Sequence, residues 1–190
     1  MLHANGFLVR SIREMDKTLN MQYMGVEGNP WPLFEIEVPT AHVERLNRCV
    51  KDDVILFDRD VADVSIDLDF VLEYERECKR NGIDSVILLC ETSFASPQVD
   101  YCGHHTRFLG YDYAEMKYDY YSCVFNDVFG RKIPEFAGME LNQYGLFNEL
   151  DDVTAFADLR NRLQENDREW FYERGNFVIA RVSQVMVPLD

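Results

Sequence analysis

Apolar and polar residues change rhythm several times along the chain, and each rhythm predicts an element. Residues 7–12 (FLVRSI) predict a first strand. Residues 33–38 (LFEIEV) alternate apolar and acidic from Phe34 to Val38, the pattern of a strand with one wetted face. Thr40, after Pro39, then caps a short helix that carries Glu44 in its first turns. Residues 54–57 (VILF) form a short unbroken apolar run, expected as a buried strand. The next helix is the best marked. Ser65 is placed to cap it, Asp67 and Asp69 sit where the helix dipole favours anions, Lys79 and Arg80 close it, and Asn81-Gly82 stops it. Phe70, Val71, Tyr74 and Cys78 share its apolar stripe, with Glu73, Glu75 and Glu77 mostly off it. Residues 85–90 (SVILLC) follow as a second buried strand. Strand, helix and strand in that order read as a right-handed βαβ crossover over residues 54–90.

Further along, residues 111–121 read as a loop leading into a helix over 118–129, whose apolar stripe is Tyr121, Val124, Phe125, Val128 and Phe129; Gly130 and Pro134 end it. Residues 151–165 predict another helix, with Val153, Phe156, Leu159 and Leu163 on its stripe. Residues 177–187 alternate in part and predict a last strand. These elements add up to one domain over residues 1–190, of class α/β (or α+β): a mixed sheet of about five strands with helices packed on it. No internal repeat or low-complexity tract interrupts it, and the turn-rich Gly28-Asn29-Pro30-Trp31-Pro32 reads as a loop within it.

Composition changes the picture chiefly through charge. The chain has 190 residues with 34 Asp plus Glu against 19 Lys plus Arg, a net charge of −15. Such a balance disfavours direct binding to nucleic acid or to an anionic membrane, because both need a cationic face. Residues 52–77 carry ten acids and two bases, and residues 135–173 carry ten acids and three bases, so two separate blocks hold the excess. Acidic helices often serve only as solvated faces. A single-sign field also steers a basic partner and speeds its association. No run approaches the ~18 apolar residues of a membrane span. Residues 1–20 contain Arg10 and Arg13 and no unbroken apolar stretch, so no leader is expected and the cytoplasm is the expected compartment. The five cysteines (Cys49, Cys78, Cys90, Cys102, Cys123) form no CxxC pair and are expected as reduced, mostly buried thiols.

Nucleotide loops, the nucleophile elbow and the HExxH zinc motif are all missing from the sequence. His3 and His42 have no local partner. Cys102-Gly103-His104-His105 offers thiol and imidazole ligands but no second pair at usable spacing, so neither a metal nor a cofactor is expected. Asp58, Asp60 and Asp63 lack the central glycine and closing glutamate of a calcium loop.

Three segments carry a resemblance. Phe108-Leu109-Gly110-Tyr111-Asp112 is followed by Tyr121-Ser122-Cys123-Val124-Phe125-Asn126 and then by Asn142-Gln143-Tyr144-Gly145-Leu146-Phe147. This order resembles a group of uncharacterised bacterial proteins with LGYD and N-x-YGLF segments, which are small and acidic and similar to immunity proteins of bacterial toxin systems. The resemblance implies a non-enzymatic protein that neutralises a cognate, cationic toxin (a nuclease being one such case) by stoichiometric occlusion; it supplies no catalytic residue. The expected partner-binding residues are Asp112, Tyr113, Glu115, Tyr118 and Asp119, with Asp67 and Glu73 from the first acidic block. Tyrosine beside acid is a good interface composition, and Tyr113 and Tyr118 fall off the helical stripe and are therefore expected on the surface. The alternatives are a small hydrolase or metal-dependent enzyme using carboxylates with His104 or His105, and a regulatory adaptor.

Overall fold

A computed structural model describes residues 1–12, 33–34, 65, 67–80, 82, 84–95, 98–115, 120–124, 127–128, 134–166 and 177–187, with the backbone alone at 11, 12, 33, 34, 121 and 166. The strands are β1 (His3–Ile12), β2 (Leu33–Phe34), β3 (Val86–Thr92), β4 (Thr106–Glu115), β5 (Tyr121–Ser122) and β6 (Phe177–Val185). The helices are α1 (Leu68–Arg80) and α2 (Leu150–Asn166). In the sheet the order is β2-β1-β3-β6-β4-β5. Four long strands make its body, and two-residue strands flank it.

All neighbouring pairs among the described strands are antiparallel. The described elements therefore form an α+β arrangement, and the expected mixed sheet is corrected, among them, to an antiparallel one. The crossover expectation changes with it. Both edges of β3 are taken by antiparallel neighbours, β1 and β6, so no parallel strand fits beside it. The expected strand at 54–57 lies outside the described residues, as do the rest of the 33–38 strand and the helix after Thr40.

Opposed residues in an antiparallel pair share a face, so the register sorts the side chains. One face carries Phe7 and Val9 of β1, Ile87 and Leu89 of β3 and Val185 of β6, and α1 packs there through Leu68, Val71 and Cys78. The same face carries Tyr113 of β4 with Ile179 and Phe177 of β6, and α2 packs there through Val153, Phe156 and Ala157. Both helices thus lie on one side of the sheet. On the other face Leu8, Leu88, Cys90, Ala114 and Val182 are buried together with Leu109, Tyr120 and Leu146.

Local chemistry sets the helix ends. Asp67, rather than Ser65, is the N-cap of α1: its Oδ1 accepts the Phe70 N–H at 3.1 Å. Ser65 lies one step earlier, exchanging two backbone hydrogen bonds with Phe7, while its Oγ accepts the Asp67 N–H. At the far end Gly82, with φ +74°, donates its N–H to the Lys79 carbonyl and stops the helix as expected. α2 keeps its expected stripe, with Val153 and Phe156 fully buried. Arg160 joins them in the interior, paired to Asp127 at 2.9 Å and stacked 4.4 Å from the Phe177 ring.

The segment expected as a loop is an inner strand. Residues 111–115 belong to β4, between β6 and β5. Tyr121 and Ser122, expected in a helix, pair with Glu115 and Ala114 as β5, and a helical turn begins only at Cys123. Phe125, Phe129 and Gly130 lie outside the described residues.

Candidate functional site

The segments that carry the resemblance meet in space. β4 shifts its register against β6 between Phe108 and Gly110, a β-bulge. At Gly110 the backbone has φ +154° and passes so close to residues 142–147 that a Cβ there would stand 2.6 Å from the Leu146 Cβ and 2.7 Å from the Phe147 carbonyl oxygen. Only glycine fits both the conformation and the space. Asn142 closes the turn opposite. Its Nδ2 donates to the Leu109 carbonyl at 2.8 Å, while its Oδ1 accepts the N–H groups of Tyr144 and Leu146. Tyr111 and Phe147 then exchange two backbone hydrogen bonds. The LGYD and N-x-YGLF segments are one interlocked unit at the outer edge of β4.

Asp112 closes that unit from the opposite face. Fully buried, its carboxylate accepts three hydrogen bonds: from Tyr120 Oη at 2.7 Å, from Ser122 Oγ at 2.8 Å and from the Tyr113 N–H at 2.7 Å. Burial pushes its carboxyl up to about 6, and the three donors pull the other way. Tyr120, itself buried beside this carboxylate, is raised well above the usual phenol range, first by desolvation. Arg10 of β1 and Cys90 of β3 lie on the same buried side, with burial raising the thiol strongly. The hydroxyl of Ser122 has no route to a substrate here, because Ser122 and Asp112 are both fully buried. What the network does is tie β5 and the 120–122 backbone to β4.

The expected partner-binding residues are thereby redistributed. Asp112 and Tyr113 are interior, which corrects their placement on the surface. Tyr113 packs against Phe156 and Phe177, and its Oη donates to Asn161 at 3.2 Å. The surface expectation failed because a strand covered on both faces has no wet side to reveal it. Glu115 is half-buried at the end of β4. Tyr118 and Asp119 lie outside the described residues. Asp67 is exposed but spends its carboxylate on the α1 cap. Glu73 is held by Arg76 at 3.0 Å and Arg80 at 3.3 Å.

The two acidic helices differ in a way that residue counting hides. α1 offsets most of its own charge: besides Glu73, Glu75 pairs with Lys79, and Glu77 pairs with Arg80 at 3.0 Å, while exposed Asp69 stands outside these pairs. Glu75 and Glu77, expected off the apolar stripe, are in fact buried. Burial first, and then the Glu75 and Glu77 carboxylates, push the Cys78 thiol up to about 11. On α2 and just before it the acids stay open. Glu149, Asp151, Asp152, Asp158 and Glu165 are exposed, and among the described residues no ion pair engages any of them. Asp151, Asp158 and Glu165 recur every seven residues, so they stand in one line with steps of about 10 Å. Arg162 shares that line and turns its Nε to the Asp158 carbonyl.

Cys78, Cys90 and Cys123 are buried thiols outside any disulfide, and Cys102 is an exposed one. Cys102 occupies a tight turn with φ 52°, its N–H donated to Asp100 Oδ1. His104 and His105 follow it in the connection into β4. Among the described residues no three His, Cys, Asp or Glu side chains come together to hold a metal. Among them too, no helix is long and apolar enough to cross a membrane. No protein-family model matches the chain, and neither a curated relative nor a solved structure of similar fold is found.

Proposed function

We propose that the chain is a single-domain, non-catalytic binding protein that captures a cationic protein partner on the open acidic line of α2. The observation that carries this reading is the contrast between the helices. Exposed carboxylates left without ion pairs cost self-repulsion, and that cost is spared on α1, where each base meets an acid. On α2 it is retained, which fits a surface whose counter-charges arrive with a partner. Stoichiometric occlusion of a toxin in the cytoplasm, as an immunity protein performs it, is the form of this activity that the size, the acidity and the LGYD and N-x-YGLF segments favour. If the toxin is a nuclease, the carboxylates of α2 occupy the basic groove meant for phosphates.

The test is a pull-down from the native host with the partner identified by mass spectrometry, followed by binding of the purified pair. A basic protein bound in a 1:1 complex that loses affinity when Asp151, Asp158 and Glu165 become amides supports the reading. A neutral or acidic partner, or one indifferent to those three changes, overturns it.

A further inference from the structure

The cross-strand register places Glu91 of β3, Arg181 of β6 and Tyr111 of β4 in one row on the helix-bearing face. α1 covers the rows on one side of it, through Phe7, Val9, Leu89 and Val185. α2 covers the rows on the other, through Tyr113, Phe177 and Ile179. The row is the seam between the helices, and the surface opens along it. The side chains of Glu91 and Arg181 are 18% and 33% exposed, and Phe108 is 40% exposed. Arg181 pairs with Glu91 and holds its guanidinium 5.2 Å from the centre of the Phe108 ring. That ring meets Tyr111 edge-on at 5.0 Å. Directly across from Phe108, on the same face, is Ser183, fully buried with a hydroxyl that has no hydrogen-bond partner.

We infer that this seam receives an arginine side chain of the cationic partner, against the open side of Phe108. The inference rests on the proposed function and names the anchor point of the same docking face. Three features favour a guanidinium. The seam already holds one, since Glu91 and Phe108 together seat Arg181. A guanidinium is planar and more weakly hydrated than an ammonium, and it sits over aromatic rings more often. The charge around the seam also selects a cation. The Tyr111–Phe147 bridge leads within a few residues into Glu149, Asp151 and Asp152, all exposed and unpaired, whereas Arg181 is neutralised by Glu91.

The experiment uses two synthetic octapeptides, one arginine-rich and one lysine-rich, of equal charge, titrated into the full chain by calorimetry. The arginine peptide is expected to bind roughly threefold more tightly, and the F108A and F108L variants to lose that preference while keeping salt-sensitive binding of both peptides. F108L preserves apolar bulk and removes only the ring face, so it serves if F108A folds poorly. Equal affinities for the wild-type chain, or a preference unchanged in both variants, overturns the seam assignment and leaves α2 docking standing. Failure of either peptide to bind the wild-type chain overturns both.

Discussion

Gly110 of β4 and Leu146 approach so closely that a Cβ on the glycine would stand 2.6 Å from the Leu146 Cβ. Strand and turn have closed on each other, and no side chain is left to yield. G110A is expected to destabilise the protein by about 3 kcal/mol or more, since overpacking adds to the strain of a positive φ. G82A is the control, because its φ is also positive but nothing lies within 4 Å of the added carbon. It is expected to cost about 1 kcal/mol. Urea denaturation of the two variants checks the pair, and equal costs would show that the contact is not tight.

Asp112 makes stability depend on pH with an unusual sign. Its carboxyl titrates near 6 when folded, above its ordinary range near 4, because burial disfavours the anion. A raised carboxyl binds its proton more tightly in the folded state. Its contribution is therefore greatest at low pH and is lost as pH rises from about 4 to about 6. Two units amount to about 3 kcal/mol. D112N removes this titration, so wild-type stability minus D112N stability is expected to fall by that order between pH 4 and pH 7. Denaturation midpoints at four pH values measure it. A constant difference would mean that Asp112 titrates at its ordinary value.

Tyr113 reverses the role its sequence context suggested. It is interior, edge-on to Phe156 and tilted against Phe177. Y113A is expected to lose about 3–5 kcal/mol of stability, as large aromatic deletions in cores do. Y113F removes only the bond to Asn161 and is expected to lose about 1 kcal/mol. Thermal melts distinguish this from the surface role, in which neither change would move the transition.

The ends of the chain's logic were legible, and its middle was not. The two described helices could be read because amphipathic spacing, caps and a stop glycine are all local signals, and β1, β3 and β6 because apolar runs and alternation mark them. β4 was hidden by its own chemistry. Gly110 and Asp112 are poor strand formers, the bulge at Leu109 breaks the two-residue period, and because both faces are covered, Tyr113 on one and Ala114 on the other are buried alike. Strand pairing was hidden for a different reason: segment order says nothing about which edges meet, and the described neighbours of β3, β1 and β6, are both antiparallel to it. The acidic site was half-legible. Residue counts revealed two blocks, while the spacing of Glu73 with Arg76, Glu75 with Lys79 and Glu77 with Arg80 already held the information that α1 offsets most of its own charge.

The most direct test of the central claim is the association rate with the cationic partner, measured by stopped flow as salt rises from about 0.05 to 0.5 M, across which screening shortens to a few ångströms. Three proteins are compared: the wild-type chain, the α2 variant D151N/D158N/E165Q, and the α1 variant D69N/E73Q. The account predicts a wild-type on-rate that falls at least tenfold over this range, a flattened dependence in the α2 variant, and a nearly wild-type dependence in the α1 variant. An on-rate indifferent to salt, or an α1 variant affected as strongly as the α2 variant, would contradict it.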